Sequence, residues 1–259
     1  MSWLGRGFEV FPAEAATLDW LGAAREAALA AAGDPVLQAR WLRHGGTWFA
    51  GVDVLGNDAQ GRVEQGPPLS GAARMAAEAV TGPLPLHPAQ VSVTYPAYPR
   101  RDADETEAAH RYRRTRDAAH LDGLLPEGAA RRRHLREPHG WILGVALSEA
   151  DRGAAPLVVW EGSHEIMRAA FRRAFEGIAP GHWGDLDVTD IYKAARRHCF
   201  EICPRIEIAL TPGEAVLVHR LSLHGIAPWT EGAAAAPEGR AIAYFRPCLP
   251  QVADWLDLP

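Results

Sequence analysis

Two textures of apolar spacing run along the chain. Up to about residue 88 the spacing is mostly helical. Residues 12–32 are alanine-rich, carry Leu18, Leu21 and Leu29, and predict a helix ended by Gly33-Asp34-Pro35. A second short helix is expected over 35–43, broken by Gly45-Gly46; Thr47 to Val54 then reads as a strand, and 70–80 as a helix ended by Gly82-Pro83. Further on, the apolar runs shorten. Gln90 to Tyr95 alternates, and 141–147, 156–160, 205–210, 215–219 and 240–246 each read as a strand. Two helices, about 163–176 and 187–199, interrupt this series. The segment 101–118 is polar all round and predicts a solvated helix or a mobile excursion. Helices followed by many short strands imply a β-sandwich or barrel-like core with a helical flank.

Composition narrows the class of protein. The 259 residues are 47% hydrophobic and 23% charged, which suits a soluble globular chain. A formal net charge of −5 argues against nucleic-acid binding, because phosphate neutralisation needs a basic surface. Cys199, Cys203 and Cys248 are too few and too odd in number for a disulfide framework, and they read as ordinary thiols. No signal-peptide pattern and no membrane-length apolar run occur, so a cytoplasmic protein is expected, with no membrane partner.

The candidate chemistry starts at His120-Leu121-Asp122. On extended backbone, positions i and i+2 point the same way, so the imidazole and the carboxylate can converge on one ion. Taken alone the pair is weak, since chance alone yields roughly 0.6 such pairs in a chain of this composition. The signal strengthens about a hundred residues later. Thr211-Pro212-Gly213-Glu214 reads as a turn and Ala215 to His219 as a strand, followed by Leu223-His224-Gly225. His224 can supply a third ligand. Two histidines and one carboxylate on one face of an octahedron suit iron(II) and leave three positions open, enough for a bidentate 2-oxo acid and dioxygen. Arg240 opens the last strand, and its planar fork could hold the distal carboxylate of 2-oxoglutarate.

Together these residues resemble the phytanoyl-CoA dioxygenase-like family of Fe(II)/2-oxoglutarate oxygenases. The match runs over roughly 90–247. It takes in His120-Leu121-Asp122 and the strand Ile142 to Leu147. Ala155 to His164 is similar to the family's G-x-L-x-x-x-P-G-S-H segment, with Glu161 in place of the proline. Pro212 to His219 is similar to its G-D-x-x-x-F-H segment, and Leu223-His224-Gly225 and Arg240 complete the set. The resemblance implies an α+β fold with a mainly β core: a double-stranded β-helix (jelly roll, cupin-like) with N-terminal and inserted helices. It implies one domain over 1–259, with 1–88 a mostly helical flank and 89–247 the core, carrying a helical insert at 163–199. It assigns His120, Asp122 and His224 to Fe(II) and Arg240 to 2-oxoglutarate, with Arg246 the runner-up because both face one side of a regular strand. His219 fits a non-ligand histidine. Asp122 favours oxygenation over halogenation, since related halogenases carry glycine or alanine there.

The expected reaction is oxidation, most simply hydroxylation, of a small organic molecule with release of succinate and CO2. The alternative is a cupin-type metalloprotein that does not use 2-oxoglutarate. Tyr95, Tyr98, His139, Trp141 and Arg246 are candidates to meet the substrate. The run Arg131-Arg132-Arg133-His134-Leu135-Arg136 could receive an acidic group, although such runs are ordinarily solvated surface. Met167, Phe171, Phe175 and Trp183 read first as a packing face.

Overall fold

The computed structural model describes residues 3–259. Helix α1 (Trp3–Arg6) leads into strand β1 (Phe8–Phe11). Helix α2 (Ala15–Gly33) starts later than the alanine-rich run because a reciprocal capping box between Glu14 and Thr17 fixes its first turn. Asp34 stops it and caps α3 (Pro35–Trp41), accepting from the Val36 and Leu37 N–H groups, with Pro35 in the first turn where its missing donor costs nothing. Strands β2 (Leu42–Arg43) and β3 (Trp48–Gly51), helix α4 (Ala72–Thr81), strand β4 (Gln90–Thr94) and helix α5 (Glu107–Thr115) follow. No residue of α5 is buried, which matches the solvated helix expected there.

Strands β5 (Leu124–Glu127) and β6 (Arg132–Leu135) form a separate hairpin, so four of the six residues of the arginine run are strand rather than loop. Next come β7 (Trp141–Ala146), β8 (Leu157–Trp160), α6 (Ser163–Ala174), a 3-10 turn at Pro180–Asp185, and α7 (Thr189–Ile202). The chain closes with β9 (Arg205–Ile208), β10 (Ala215–His219), β11 (His224–Ile226), β12 (Arg240–Phe245) and α8 (Asp254–Asp257).

The strands build two antiparallel sheets, ordered β1-β10-β7-β12-β4-β3-β2 and β11-β8-β9. Phe8, Ile142, Val216, Val218 and Ile242 of the larger sheet pack with Leu157, Val159 and Ile208 of the smaller one, so the two face each other as a jelly roll. The opposite face of the larger sheet carries Val91, Val93, Leu143, Val145, Leu217 and Phe245. It is covered by Trp20, Ala24 and Ala28 of α2 and Ala73 and Ala77 of α4, whose small side chains let the helices approach closely. The expected helical flank therefore does more than flank: it also contributes β1, β2 and β3 to the larger sheet. In the insert, Met167, Phe171, Phe175 and Trp183 are buried as a packing face, with Phe171 against Trp255 and Phe175 stacked on Trp183. Cys199, Cys203 and Cys248 are free thiols. Among the described residues no helix is long and apolar enough to cross a membrane.

Candidate metal centre

Backbone pairing brings the three expected ligands together. His120 and His224 form an isolated antiparallel bridge: the His120 N–H donates to the His224 carbonyl at 2.8 Å, and the His224 N–H returns a bond at 3.1 Å. The next residue must be glycine. A Cβ at Gly225 would stand 2.1 Å from the Asp117 carbonyl oxygen, which accepts from the Ile226 N–H. Gly123, after Asp122, has φ of +81°, and a Cβ there would come 2.1 Å from the Glu137 carbonyl oxygen. The glycines of His-x-Asp-Gly and His-Gly thus permit the close packing that sets the ligand positions.

Each histidine is oriented the same way. His120 Nδ1 lies 3.1 Å from the Ala118 carbonyl and His224 Nδ1 lies 3.0 Å from the Ser222 carbonyl. A carbonyl only accepts, so Nδ1 carries the proton in both rings and each Nε2 keeps its lone pair free. Both Nε2 atoms face Asp122: His120 Nε2 is 3.2 Å from Oδ1 and His224 Nε2 is 3.8 Å from Oδ2. The three ligand atoms lie within 4.8 Å of one another, close enough to share one ion. Burial opposes ionisation of Asp122, but Arg246 and the two imidazoles outweigh it and hold the carboxyl well below the usual range. Burial pushes His224 down to about 4, so it stays neutral and able to ligate. Two imidazoles and one carboxylate fit a borderline divalent ion.

This cluster opens on a cavity of about 660 Å³, part of it continuous with solvent, lined by Trp48, Ser92, Tyr98, Ile142, Val218 and Tyr244 among others. Arg240 is 4% exposed, and neither Nη1 nor Nη2 has a hydrogen-bond partner. Thr94 stands directly opposite it in register, with its buried Oγ1 also unpartnered. Tyr244 lies beside Arg240 on the cavity wall. Arg246, at the metal end, donates from Nη1 to Asp122 Oδ2 at 3.3 Å. The two arginines therefore have different surroundings: Arg246 is paired with a ligand carboxylate, and Arg240 has no carboxylate partner among the described residues.

Two expected substrate contacts are corrected. Trp141 is fully buried on the helix side of the sheet, where its Nε1 donates to Thr81 Oγ1 at 3.2 Å. Tyr95 packs against that same helix-side core. Both sit one residue out of step with Ile142, which lines the cavity, and Thr94, which shares the face of the lining residues Gln90 and Ser92, and a strand sends neighbours to opposite faces. Tyr98 does line the cavity. His139 lies behind it, Nδ1 3.7 Å from the Cys248 sulfur and Nε2 3.3 Å from a Glu137 oxygen. Two of the four arginines in the run are already paired with carboxylates: Arg132 with Asp187 and Asp190, and Arg136 with Glu127. Trp48, Gln90, Ser92 and Tyr244 were not expected at the site. The signal for Gln90 and Ser92 is the alternation at 90–94, where Val91 and Val93 face the helices and the polar Gln90, Ser92 and Thr94 face the other way.

The Gly-Ser-His segment works from behind. Ser163 Oγ accepts from the Leu223 N–H at 2.9 Å, fixing the residue before His224. Glu161, in the place of the family's proline, pairs with Arg6 at 2.8 Å and ties down the N-terminal segment. His219 is fully buried, and its Nδ1 accepts from the Leu221 N–H, which suits its expected non-ligand role.

No protein-family model matches the chain, and no curated protein matches it significantly. Solved structures do share its outline. The non-haem α-ketoglutarate-dependent carbocyclase SnoK from nogalamycin biosynthesis is 13% identical with a TM-score of 0.46, over 97% of this chain and 85% of that one. EctD from S. alaskensis, solved with 2-oxoglutarate and 5-hydroxyectoine, is 16% identical with a TM-score of 0.48, over 94% and 72%. AviO1 from Streptomyces viridochromogenes Tue57 is 14% identical with a TM-score of 0.47, over 96% and 93%. Those likenesses are loose, and the chemistry of the site is read from its own atoms.

Proposed function

We propose that the protein is a mononuclear non-haem iron(II) oxygenase that uses 2-oxoglutarate to oxidise a small organic molecule. One observation carries the reading. A cluster of two imidazole Nε2 atoms and a carboxylate opens on a cavity, and beside that cavity Arg240 keeps both terminal nitrogens buried without a partner. Leaving such donors unmade costs about 1–3 kcal/mol each, more for charged groups, so an anion is the expected occupant.

His120, Asp122 and His224 would hold the iron. Arg240, with the Thr94 hydroxyl and Tyr244 near it, would grip the distal carboxylate of 2-oxoglutarate through a planar fork. Iron and 2-oxoglutarate, when bound, supply the oxidation by dioxygen, with succinate and CO2 as co-products. The chain's own work is geometric. The Ala118 and Ser222 carbonyls fix both imidazole tautomers, Arg246 steadies the Asp122 carboxylate, and Ile142, Leu157 and Val218 keep water from the inner cavity. No protein side chain is asked to move a proton. Asp122 occupies a position that a halide would need, so oxygenation is favoured over halogenation.

The test is anaerobic. Iron(II) and 2-oxoglutarate added without oxygen should produce the weak visible charge-transfer band of the chelate, and admitting oxygen should release succinate. Folded protein that gives iron binding but no band and no succinate would overturn the reading in favour of a metalloprotein without this co-substrate. Arg240→Ala should weaken 2-oxoglutarate binding by about 100-fold with iron affinity nearly unchanged, the scale of one charge-assisted bidentate contact. If Arg246→Ala does this instead, the arginines are exchanged.

A further inference from the structure

Arg246 has capacity that the scheme above does not use. Its only hydrogen bond within the described residues is the one from Nη1 to Asp122, and its Nε is buried without a partner. Gln90 lines the same cavity, and its carboxamide likewise makes no hydrogen bond within the described residues. Gln90 pairs in register with Tyr244, two residues before Arg246, so both polar groups border the metal end.

A count of charges says what these groups lack. Buried Asp117 is cancelled by Arg205 at 2.6 Å, whose other partner, Glu207, is half exposed to solvent outside the cavity, and Glu137 is cancelled by His139 at 3.3 Å. Asp122, Arg240 and Arg246 remain, and sum to one positive charge. An iron(II) ion and a 2-oxoglutarate dianion cancel each other and leave that charge in place. An uncompensated charge in a largely buried site is costly, so a further single negative charge belongs there. A neutral or cationic molecule would leave that charge in place beside the Arg246–Asp122 pair, and a dianion would overshoot.

Resting on the reading above, we infer that the primary substrate is a small monocarboxylic acid, whose carboxylate is held beside the metal by Arg246 with Gln90 as a second donor. The apolar walls Leu157 and Ile226 and the aromatic Trp48 and Tyr98 would take its hydrocarbon part.

Zinc(II) stands in for iron(II) so that no turnover occurs, and 2-oxoglutarate binding to the zinc-loaded protein is measured first by calorimetry. At saturating 2-oxoglutarate, benzoate, hexanoate, benzamide and benzylammonium are then titrated. At least one carboxylate is expected to bind alongside 2-oxoglutarate, about ten-fold or more tighter than benzamide or benzylammonium, as a charge-assisted contact implies. Arg246→Gln should erase that preference and Arg246→Lys retain part of it. Zinc affinity and thermal unfolding of both variants are measured alongside, so that a disturbed Asp122 is recognised as such.

The inference is overturned if no carboxylate binds, if benzamide binds as well as benzoate, if the carboxylates displace 2-oxoglutarate, or if folded, zinc-binding Arg246→Gln keeps the preference. The two readings fail separately. Loss of 2-oxoglutarate binding alone overturns the co-substrate, while a carboxylate preference that depends on Arg246 would survive it.

Discussion

The protein holds two close pairs of histidines, and only one has the makings of a metal site. The rings of His120 and His224 are 4.6 Å apart; those of His164 and His219 are 4.9 Å apart. Burial lowers the affinity for protons at His224, His164 and His219 alike. What differs is the third group and the direction of the free lone pairs. At the first pair both Nε2 atoms face the Asp122 carboxylate and a cavity. At the second, His164 Nε2 lies 2.8 Å from the Leu4 carbonyl and His219 Nδ1 accepts from the Leu221 N–H. The charges near His219 are Arg168 and Arg220, which repel a cation. Proximity of imidazoles is therefore not enough; a carboxylate and two uncommitted nitrogens make the difference.

Removing one group from each pair should break the comparison most sharply. Asp122→Ala is expected to lower iron(II) or zinc(II) affinity by more than about 100-fold, beyond the effect usual for an outer hydrogen-bond partner, with little change in unfolding temperature of the metal-free protein. His219→Ala should do the reverse, costing about 2–4 kcal/mol of stability through a buried void while metal affinity holds. Calorimetry and urea unfolding of both variants separate the two. Equal loss of metal binding in both would mean that the second pair also serves the ion.

A smaller effect, on the same contrast, comes from one glycine beside each pair. Gly225→Ala would force a Cβ to within 2.1 Å of the Asp117 carbonyl oxygen and spread the bridge that holds His120 to His224. Metal affinity should fall about 10–100-fold, as it does when a ligand's support is disturbed. Gly7→Ala would place a Cβ 2.5 Å from Ser222 Oγ and 2.7 Å from His164 Nδ1, at a φ of +86°. That variant should lose about 2–4 kcal/mol of stability and keep more of its metal affinity than Gly225→Ala. If Gly225→Ala binds metal normally, the tight bridge is not what sets the ligand spacing.

How far such features are legible in the sequence depends on whether a local rule decides them. His-x-Asp with a following glycine, and His-Gly at a strand end, are local: extended parity and a forbidden Cβ fix them. The packing face of Met167, Phe171, Phe175 and Trp183 was legible for the same reason, from helical spacing. Trp141 and Tyr95 were assigned to the wrong face because the larger sheet is covered on both sides. Alternation then says that neighbours oppose each other but not which face meets the cavity. The answer lay in β4, where the polar residues point inward and the valines outward, the reverse of a one-sided sheet. The β1 strand lies between Gly7 and Pro12, close to the long helix that follows, and β6 was hidden inside a charged run because Arg132, Arg133 and His134 supply three of its four residues. The pairing of Arg132 with Asp187 and Asp190 depends on a contact across 55 or more positions, which no local pattern carries.

Titration gives the mildest test, applied to the metal-free protein. Burial keeps His219 well below its ordinary value, and burial aided by Arg113 lowers His44 to about 4. Both favour the neutral ring in the folded state. The unfolded chain therefore binds more protons below about pH 6.5, and stability present above that pH drains as it falls toward 4, by at most about 1.4 kcal/mol per unit for each such histidine. His139 runs the other way. Burial lowers it, but contacts with Cys248, Glu137 and Asp122 prevail and raise it to about 9. Its contribution is complete below about pH 6.5 and is lost as pH rises through 9. Urea unfolding of the metal-free protein at pH 5, 7 and 9 should thus give highest stability near the middle value. His219→Gln should flatten the acid limb, and His139→Gln the alkaline limb. An acid limb unchanged by His219→Gln would mean that the second pair takes up no protons on unfolding, and that its burial does not hold it neutral.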